Sequence, residues 1–400
     1  MLLLKGLRVI AVEQYGAGPF GTQYLSDLGA EVIKIESPDG GDVSRSVGPF
    51  FMDGAEDGDT AASLFFQGLN RNKKSLTLDL KSATGQEIFR ALAATADAVC
   101  NNLRGDVPAK LGLTYETLKE IKPALVCAHL SAYGRDNERA AWPGYDFLMQ
   151  AETGYFSVTG EPGGPPARMG LSIVDLMAGL SMSFGLVSAV MQARQTGTGR
   201  DVDVNLFDTA LYNLNYIGHW YLGAGHNQGR EPRSAHASLV PCQLYTTADG
   251  WIYIMCNKEK FWGILCDLMD RADLKTDPRF LTFKERLIHR DALTPLVDAA
   301  LAPKTTAQWL DVFQGRFPAA PLLDVAQALE NPFVRDRGRI KAATTPEGRE
   351  VDLLASPIHM QDETYPQRAA PALGADSDDI LSELGYDAAT IAALRAQRVI

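Results

Sequence analysis

The sequence predicts an α/β protein built around a mostly parallel sheet, with a smaller α+β domain after it. Strand-like and helix-like runs alternate over the first 140 residues, and residues 140–215 then turn mainly helical. Beyond about residue 225 a polar, turn-rich stretch leads into a hairpin pattern followed by more helices. Strands alternating with helices of about a dozen residues form βαβ units, which place helices on both faces of a parallel sheet.

LRVIAVE (7–13) reads as the first strand, FGTQYLSDLG (20–29) as a helix and EVIKIE (31–36) as the next strand. SLTLDL (75–80), a helical TGQEIFRALAATA (84–96), a strand DAVCNNL (97–103), a helical YETLKEIK (115–122) and a strand ALVCAHLS (124–131) continue the pattern. RDVDVNL (200–206) alternates polar and apolar residues and reads as a strand after the turn QTGTGR. The polar stretch GHNQGREPRSAHASLVP precedes CQLYTTADGWIYIMC, a hairpin turning at Asp249-Gly250. FWGILCDLMD, DALTPLVDAALA and AQWLDVFQG read as helices. The domains expected are a large one over 1–224, a small one over 225–330, and a segment over 331–400 whose closing helices return to the first domain.

Composition narrows the function. The 400 residues are 46% hydrophobic and carry 38 Lys and Arg against 49 Asp and Glu, a net charge of −11. Such an acidic chain without a basic run has no electrostatic footprint for nucleic acid. Five scattered cysteines form no C-x-x-C pair and read as buried small hydrophobes. Their odd number, with no recognisable secretory signal, argues against a disulfide framework, and the composition is that expected of a soluble cytoplasmic protein. The six histidines have no metal-ligand spacing, so no metal site is expected.

Residues 169–193, MGLSIVDLMAGLSMSFGLVSAVMQA, contain one charge, Asp175, in a run long enough to span a membrane. Its Ser and Gly residues, its central carboxylate and the absence of a second span favour a buried core helix, and no membrane partner. GAGPFG (16–21) matches the glycine template of a dinucleotide-binding turn, with Glu36 at the end of the next strand. Glu13, Gln14 and Tyr15, however, separate the apolar strand from Gly16, so the glycines come late for a pyrophosphate on the helix N-terminus. A tight turn bringing backbone close to a ligand or side chain fits better, and a flavin or nicotinamide oxidoreductase is a remote reading.

Several stretches in order along the chain carry a family resemblance. They include LGAEVIKIESPDGGD (28–42), NRNKKSLTLDLKS (70–82), NNLRGDVPAKLGL (101–113), PGYDFLMQAETG (143–154), TGEPGGPPARMGLSIVDLMAGL (159–180) and RQTGTGRDVDVNLFDTA (194–210), with DGWIYIMC, DPRFLTFKER and PALGADSDDILSELG beyond them. The chain resembles the family III CoA-transferases, which include formyl-CoA and succinyl-CoA-dependent transferases and an α-methylacyl-CoA racemase branch. The resemblance implies a Rossmann-like large domain, a small domain, and an interlocked homodimer. It implies acyl-CoA and a small carboxylic acid as substrates, with no permanently bound cofactor.

Asp175, between Gly170 and Gly179, takes the position of the family's nucleophile, which forms an aspartyl-CoA thioester. The residues agree: an ionised carboxylate in an apolar run is costly to bury, and the preceding loop suggests the start of a helix, whose dipole would keep it anionic. An N-cap, or a carboxylate tied to Arg168, would be a purely structural role for it. Tyr145 and Asp146 align with site residues; the racemase branch has a histidine where this chain has Tyr145, and a phenol is a poor base at neutral pH. By family position Gly16, Ala17, Leu78, Lys81, Asn102, Leu103, Arg104 and Lys110 contact CoA. Arg45, Lys73 and Lys74 are secondary candidates for its phosphates. His236 and Ser238, in SAHASLVP, are candidates for acceptor contact, in a segment resembling the branch that uses succinyl-CoA with branched or hydroxylated dicarboxylates. Gly16 and Ser37, and the lack of a glycine run, disfavour a formyl-CoA and oxalate pair. The same fold would also suit an acyl-CoA racemase or epimerase, or a catalytically silent acyl-CoA-binding protein.

Overall fold

The computed structural model describes residues 2–55, 58–359 and 365–400. They fall into two compact units, one gathering the chain up to Thr153, Met169–Asn215 and Arg335–Ile400, the other Gly154–Arg168 and Tyr216–Val334. The divisions lie at 215/216 and 334/335, against 224/225 and 330/331 from the sequence, and the Gly/Pro-rich loop 154–168 belongs with the second unit. That loop has no period to show which core it joins. Arg230 decides it, donating to the carbonyls of Glu161, Gly164 and Pro165.

The first unit holds a six-stranded parallel sheet: β1 (Arg8–Val12), β2 (Glu31–Glu36), β3 (Lys74–Thr77), β4 (Ala98–Asn101), β5 (Val126–Ser131) and β6 (Arg200–Asn205). Their spatial order is β3-β2-β1-β4-β5-β6. The chain therefore leaves β1 in one direction and β4 in the other, which opens a crevice beyond their C-terminal ends. One face of the sheet, with Ile10, Ile33, Leu76 and Val99, packs against α3 (Ala83–Thr95) and the C-terminal helices Ser377–Glu383 and Ala388–Ala396. The other face receives α1 (Ala17–Asp27) and the long helix Ile173–Thr196.

A short helix and a short hairpin of the first unit carry no clear signal in the sequence. α2 (Leu64–Asn70), capped by Ser63, is too short to show a period. The antiparallel hairpin β10 (Ile340–Thr344) and β11 (Glu350–Leu354) buries Val351 and Leu353 in a two-residue alternation only five residues long. In the second unit β7 (Cys242–Thr246) and β8 (Trp251–Met255) form the expected hairpin, joined by β9 (Ala319–Pro321). Tyr245, Ile252, Trp262, Phe280 and Trp309 fill the core beneath.

The long helix is a core helix on one face only, where the sequence suggests a buried one. Val174, Ala178, Met182, Leu186 and Val190 are buried at helical spacing, whereas Leu180, Phe184 and Met191 are exposed, Phe184 by 78%. It meets α1 through glycines. A Cβ on Gly21 would lie 2.4 Å from the Gly179 carbonyl oxygen, and one on Gly179 would lie 2.3 Å from the Ala17 oxygen. No side chain fits at that crossing. Gly21→Ala or Gly179→Ala is therefore expected to cost about 1–3 kcal/mol in urea unfolding. Gly68→Ala in α2, with no heavy atom of the described residues within 4 Å of the new Cβ, is expected to be neutral or to stabilise by up to about 1 kcal/mol. Equal midpoints for these variants would contradict close packing at the crossing.

Candidate active site

The site begins where β1 ends. Glu13, Gln14 and Tyr15 form a turn before α1, and Gly16 takes the N-cap position. Asn102, after β4, clamps the turn across the crevice: its Oδ1 accepts from the Gln14 amide at 2.9 Å, and its Nδ2 donates to the Gln14 carbonyl at 2.7 Å. Of the three glycines in GAGPFG, Gly16 alone belongs to the turn. Gly18 lies inside α1 against Asn102 and Glu13, and Gly21 makes the helix crossing. Packing accounts for the glycines that imitate a dinucleotide motif. Glu36 is likewise engaged internally, pairing with Arg45 at 2.6 and 2.7 Å and accepting from Ser75.

Asp175 is the third residue of the long helix; Ser172 occupies the N-cap position, so Asp175 is not a cap. Its carboxylate rests on the first turn, since a Cβ on Gly16 would lie 2.5 Å from Asp175 Oδ2. Its backbone N–H donates to Asp146 Oδ2 at 2.9 Å, and Asp146 Oδ1 accepts from Gln150 Nε2 at 2.6 Å. Burial, reinforced by the Asp146 charge, pushes the Asp175 carboxyl up to about 7. This corrects the expectation of a dipole-held anion. The first turn is the right place for such an effect, but desolvation and a like charge outweigh it.

A cavity of about 370 Å³ lies over this carboxylate at the crevice between β1 and β4, and it brings together Gly16, Ala17, Asn102, Leu103, Arg104, Tyr145 and Asp175. Asp146 is buried behind Asp175 and does not line it. Leu78 and Lys81 line a second hollow, about 340 Å³, beyond the C-terminal ends of β2 and β3. Lys110 is exposed beside the first cavity, sharing Asp106 with Arg104 at 2.5 Å from each.

A sequence profile described as CoA-transferase family III matches residues 4–377. The chain belongs to that family. An acetyl-CoA:oxalate CoA-transferase of Acetobacter aceti is 37% identical over 84% of each chain. A succinyl-CoA:mesaconate CoA-transferase of Haloarcula hispanica is 32% identical over 97% of this chain and 98% of its own. Among solved structures, a CaiB/BaiF family protein from Brucella suis superposes with a TM-score of 0.81 at 33% identity, over 96% of this chain and 99% of that one. The mixed α/β architecture is thus that of the family's solved members.

The three secondary cation candidates are otherwise engaged. Arg45 is buried on Glu36, Lys73 is buried on Glu13 at 2.8 Å, and Lys74 pairs with Glu31 at 2.5 Å. None of them lines either hollow. His236 and Ser238 lie in the second unit, where His236 lines a separate hollow and stacks on Tyr216. His236 Nδ1 accepts from the amides of Ser238 and Leu239 at 3.1 and 3.2 Å, which leaves its proton on Nε2. Burial and the Arg290 charge hold this histidine below its usual value, so it is neutral at pH 7.

Sequence reading missed Gln14, Tyr15 and Trp142 on the cavity and Arg398 on the second hollow. Gln14 and Tyr15 have the look of spacers. Arg398 arrives from the far end of the chain, where the Val399 carbonyl accepts from the Asp79 amide at 2.8 Å; no local pattern signals that pairing.

The Asp175 carboxyl binds its proton more tightly folded than unfolded, so this contribution to stability is complete below about pH 4 and is lost as pH rises through about 7. Asp175→Asn is therefore expected to melt several degrees above the parent at pH 8 and together with it at pH 4, measured by calorimetry.

Proposed function

We propose that the chain moves CoA from an acyl-CoA donor, with succinyl-CoA as the first candidate, to a small dicarboxylic acid through a thioester on Asp175. The observation that carries this reading is the Asp175 carboxylate resting on the Gly16 backbone at the start of two helices, at the wall of a cavity beside the crevice. A carboxylate with a raised pKa is a stronger nucleophile once ionised. The first-turn amides of α1 have no intrahelical acceptor and suit the oxyanion that forms as the thioester is attacked.

The steps balance. Asp175 attacks the donor's thioester carbonyl, CoA thiolate leaves, and an acyl-aspartyl anhydride remains. The thiolate attacks the Asp175 carbonyl, releasing the donor acid and forming the aspartyl-CoA thioester. The acceptor carboxylate attacks that carbonyl and expels thiolate again, and the thiolate takes the acceptor's acyl group, restoring the Asp175 carboxylate. Asp146 steers the nucleophile through its backbone N–H and its charge, and Tyr145 walls the cavity. Arg104 and Lys110, two cations sharing one Asp106, leave a net positive charge for the CoA phosphates. The second hollow, with Lys81 and Arg398 on its rim, offers room for the far end of CoA.

Dicarboxylates are favoured because the relatives' names carry oxalate, mesaconate and, in Agrobacterium fabrum, glutarate. The acetyl-CoA:oxalate relative keeps oxalate itself among the candidates. His236 and Ser238 are candidates for the acceptor. An interlocked homodimer in the cytoplasm completes the reading, with the exposed apolar side of the long helix, Phe184 and Met191, as surface for the second copy to cover.

Acyl exchange is tested by mixing the protein with succinyl-CoA and each of several dicarboxylic acids and following new thioesters by chromatography. Asp175→Asn is expected to lose at least about a thousandfold in rate. Exchange of α-protons in deuterated water without transfer would instead indicate a racemase. For the parent, kcat/KM is expected to fall on the acid side through about pH 7 as Asp175 takes its proton; Asp146→Asn removes the like charge and should move that limb to lower pH. Arg104→Ala is expected to raise KM for the acyl-CoA about tenfold with kcat little changed, for one lost charged contact.

A further inference from the structure

Beneath the first turn four charged side chains are buried together: Glu13, Lys34, Asp42 and Lys73. None lines the cavity, so none can touch a ligand there. Two carboxylates and two ammonium groups balance in charge, yet apolar residues of the same volume would serve stability as well or better. Their geometry suggests what they do instead.

Lys34, on β2, places Nζ 2.8 Å from Asp42 Oδ2 and donates to the Glu13 carbonyl at 2.9 Å. The other Asp42 oxygen accepts the Tyr15 amide at 3.0 Å, together with the Ser44 amide at 2.8 Å and its hydroxyl at 2.7 Å. The Glu13 side chain is fixed by Lys73 at 2.8 Å and the Thr22 hydroxyl at 2.7 Å. Lys34 therefore grips both ends of the turn, the Glu13 carbonyl directly and the Tyr15 amide through Asp42. Between these grips Tyr15 has φ of +66°, a left-handed conformation that a bulky residue keeps only when its surroundings impose it. Gly16, next in the chain, is the backbone on which the Asp175 carboxylate rests.

We propose that Asp42, aimed by Lys34, is a positioning residue that imposes the left-handed turn at Tyr15 and so holds the Gly16 backbone against Asp175. Without the Asp42 acceptor Tyr15 relaxes to negative φ, the chain swings at Gly16, and water gains the Asp175 carboxylate. The titratable groups around Asp175 are Asp146 on the helix beside it and Tyr15, Tyr145 and Arg104 on the cavity wall; Asp42→Ala leaves all of them in place.

The activity readout rests on the proposed transfer reaction, so the deciding measurement needs no substrate. The melting temperature of each protein is compared with that of its Asp175→Asn counterpart across pH, which reports the titration of Asp175 alone. In Asp42→Ala, folded by circular dichroism, the midpoint is expected to drop by at least about half a pH unit as Asp175 is solvated, with kcat down about tenfold. Adding Tyr15→Gly, which accepts positive φ without strain, is expected to restore much of the midpoint. Parental midpoint and kcat in Asp42→Ala, with only a lower melting temperature, would overturn the proposal and leave the cluster a structural one. If Asp42→Ala is not recovered folded, Asp42→Asn leaves a single acceptor oxygen to serve both Lys34 and the Tyr15 amide and is expected to shift the midpoint the same way by less; an unchanged midpoint there overturns it equally. A parent that exchanges no acyl group would sink the transferase reading while the titration still decides this one.

Discussion

The site depends on how closely α1 and the long helix approach one another. Gly21 and Gly179 let the two backbones touch where a methyl group would collide with a carbonyl oxygen. That contact fixes one helix against the other in register as well as distance. One turn earlier on the long helix stands Asp175, and just before α1 stands Gly16, so the crossing that packs the layer also sets the carboxylate on the turn. Two different demands, dense packing and placement of one acidic group, are met by the same small residues.

Electrostatics works against the fold at this point. Asp175 is desolvated beside a second carboxylate, and both effects favour its neutral form. A protein selected for stability alone would place an amide there. An ionised, poorly solvated carboxylate is instead what the proposed nucleophile requires. The buried charges under the turn follow the same logic: they specify a conformation more than they add stability.

Much of this is legible in the sequence, for physical reasons that differ from residue to residue. The strands of the parallel sheet announce themselves as short apolar runs between helical patterns, and the lone charge of an apolar 25-residue segment marks Asp175. The environment of Asp175 is not legible, because Asp146 lies 29 positions away and acts through a hydrogen bond and a charge that no spacing reveals. Arg45, Lys73 and Lys74 resemble phosphate ligands because a sequence shows cations without their partners, and Glu36, Glu13 and Glu31 hold them. GAGPFG misleads for the opposite reason: its glycines serve a turn, a close side chain and a helix crossing in succession, which happens to reproduce a cofactor motif.

The proposed covalent step on Asp175 can be caught directly. The protein incubated with succinyl-CoA and no acceptor, quenched with hydroxylamine or borohydride, digested and mapped by mass spectrometry, should carry its modification on the peptide that contains Asp175. The modification should vanish when a competent dicarboxylic acid is present before the quench. A modified residue elsewhere, or transfer at full rate with Asp175 never modified, would contradict a nucleophilic role for this carboxylate.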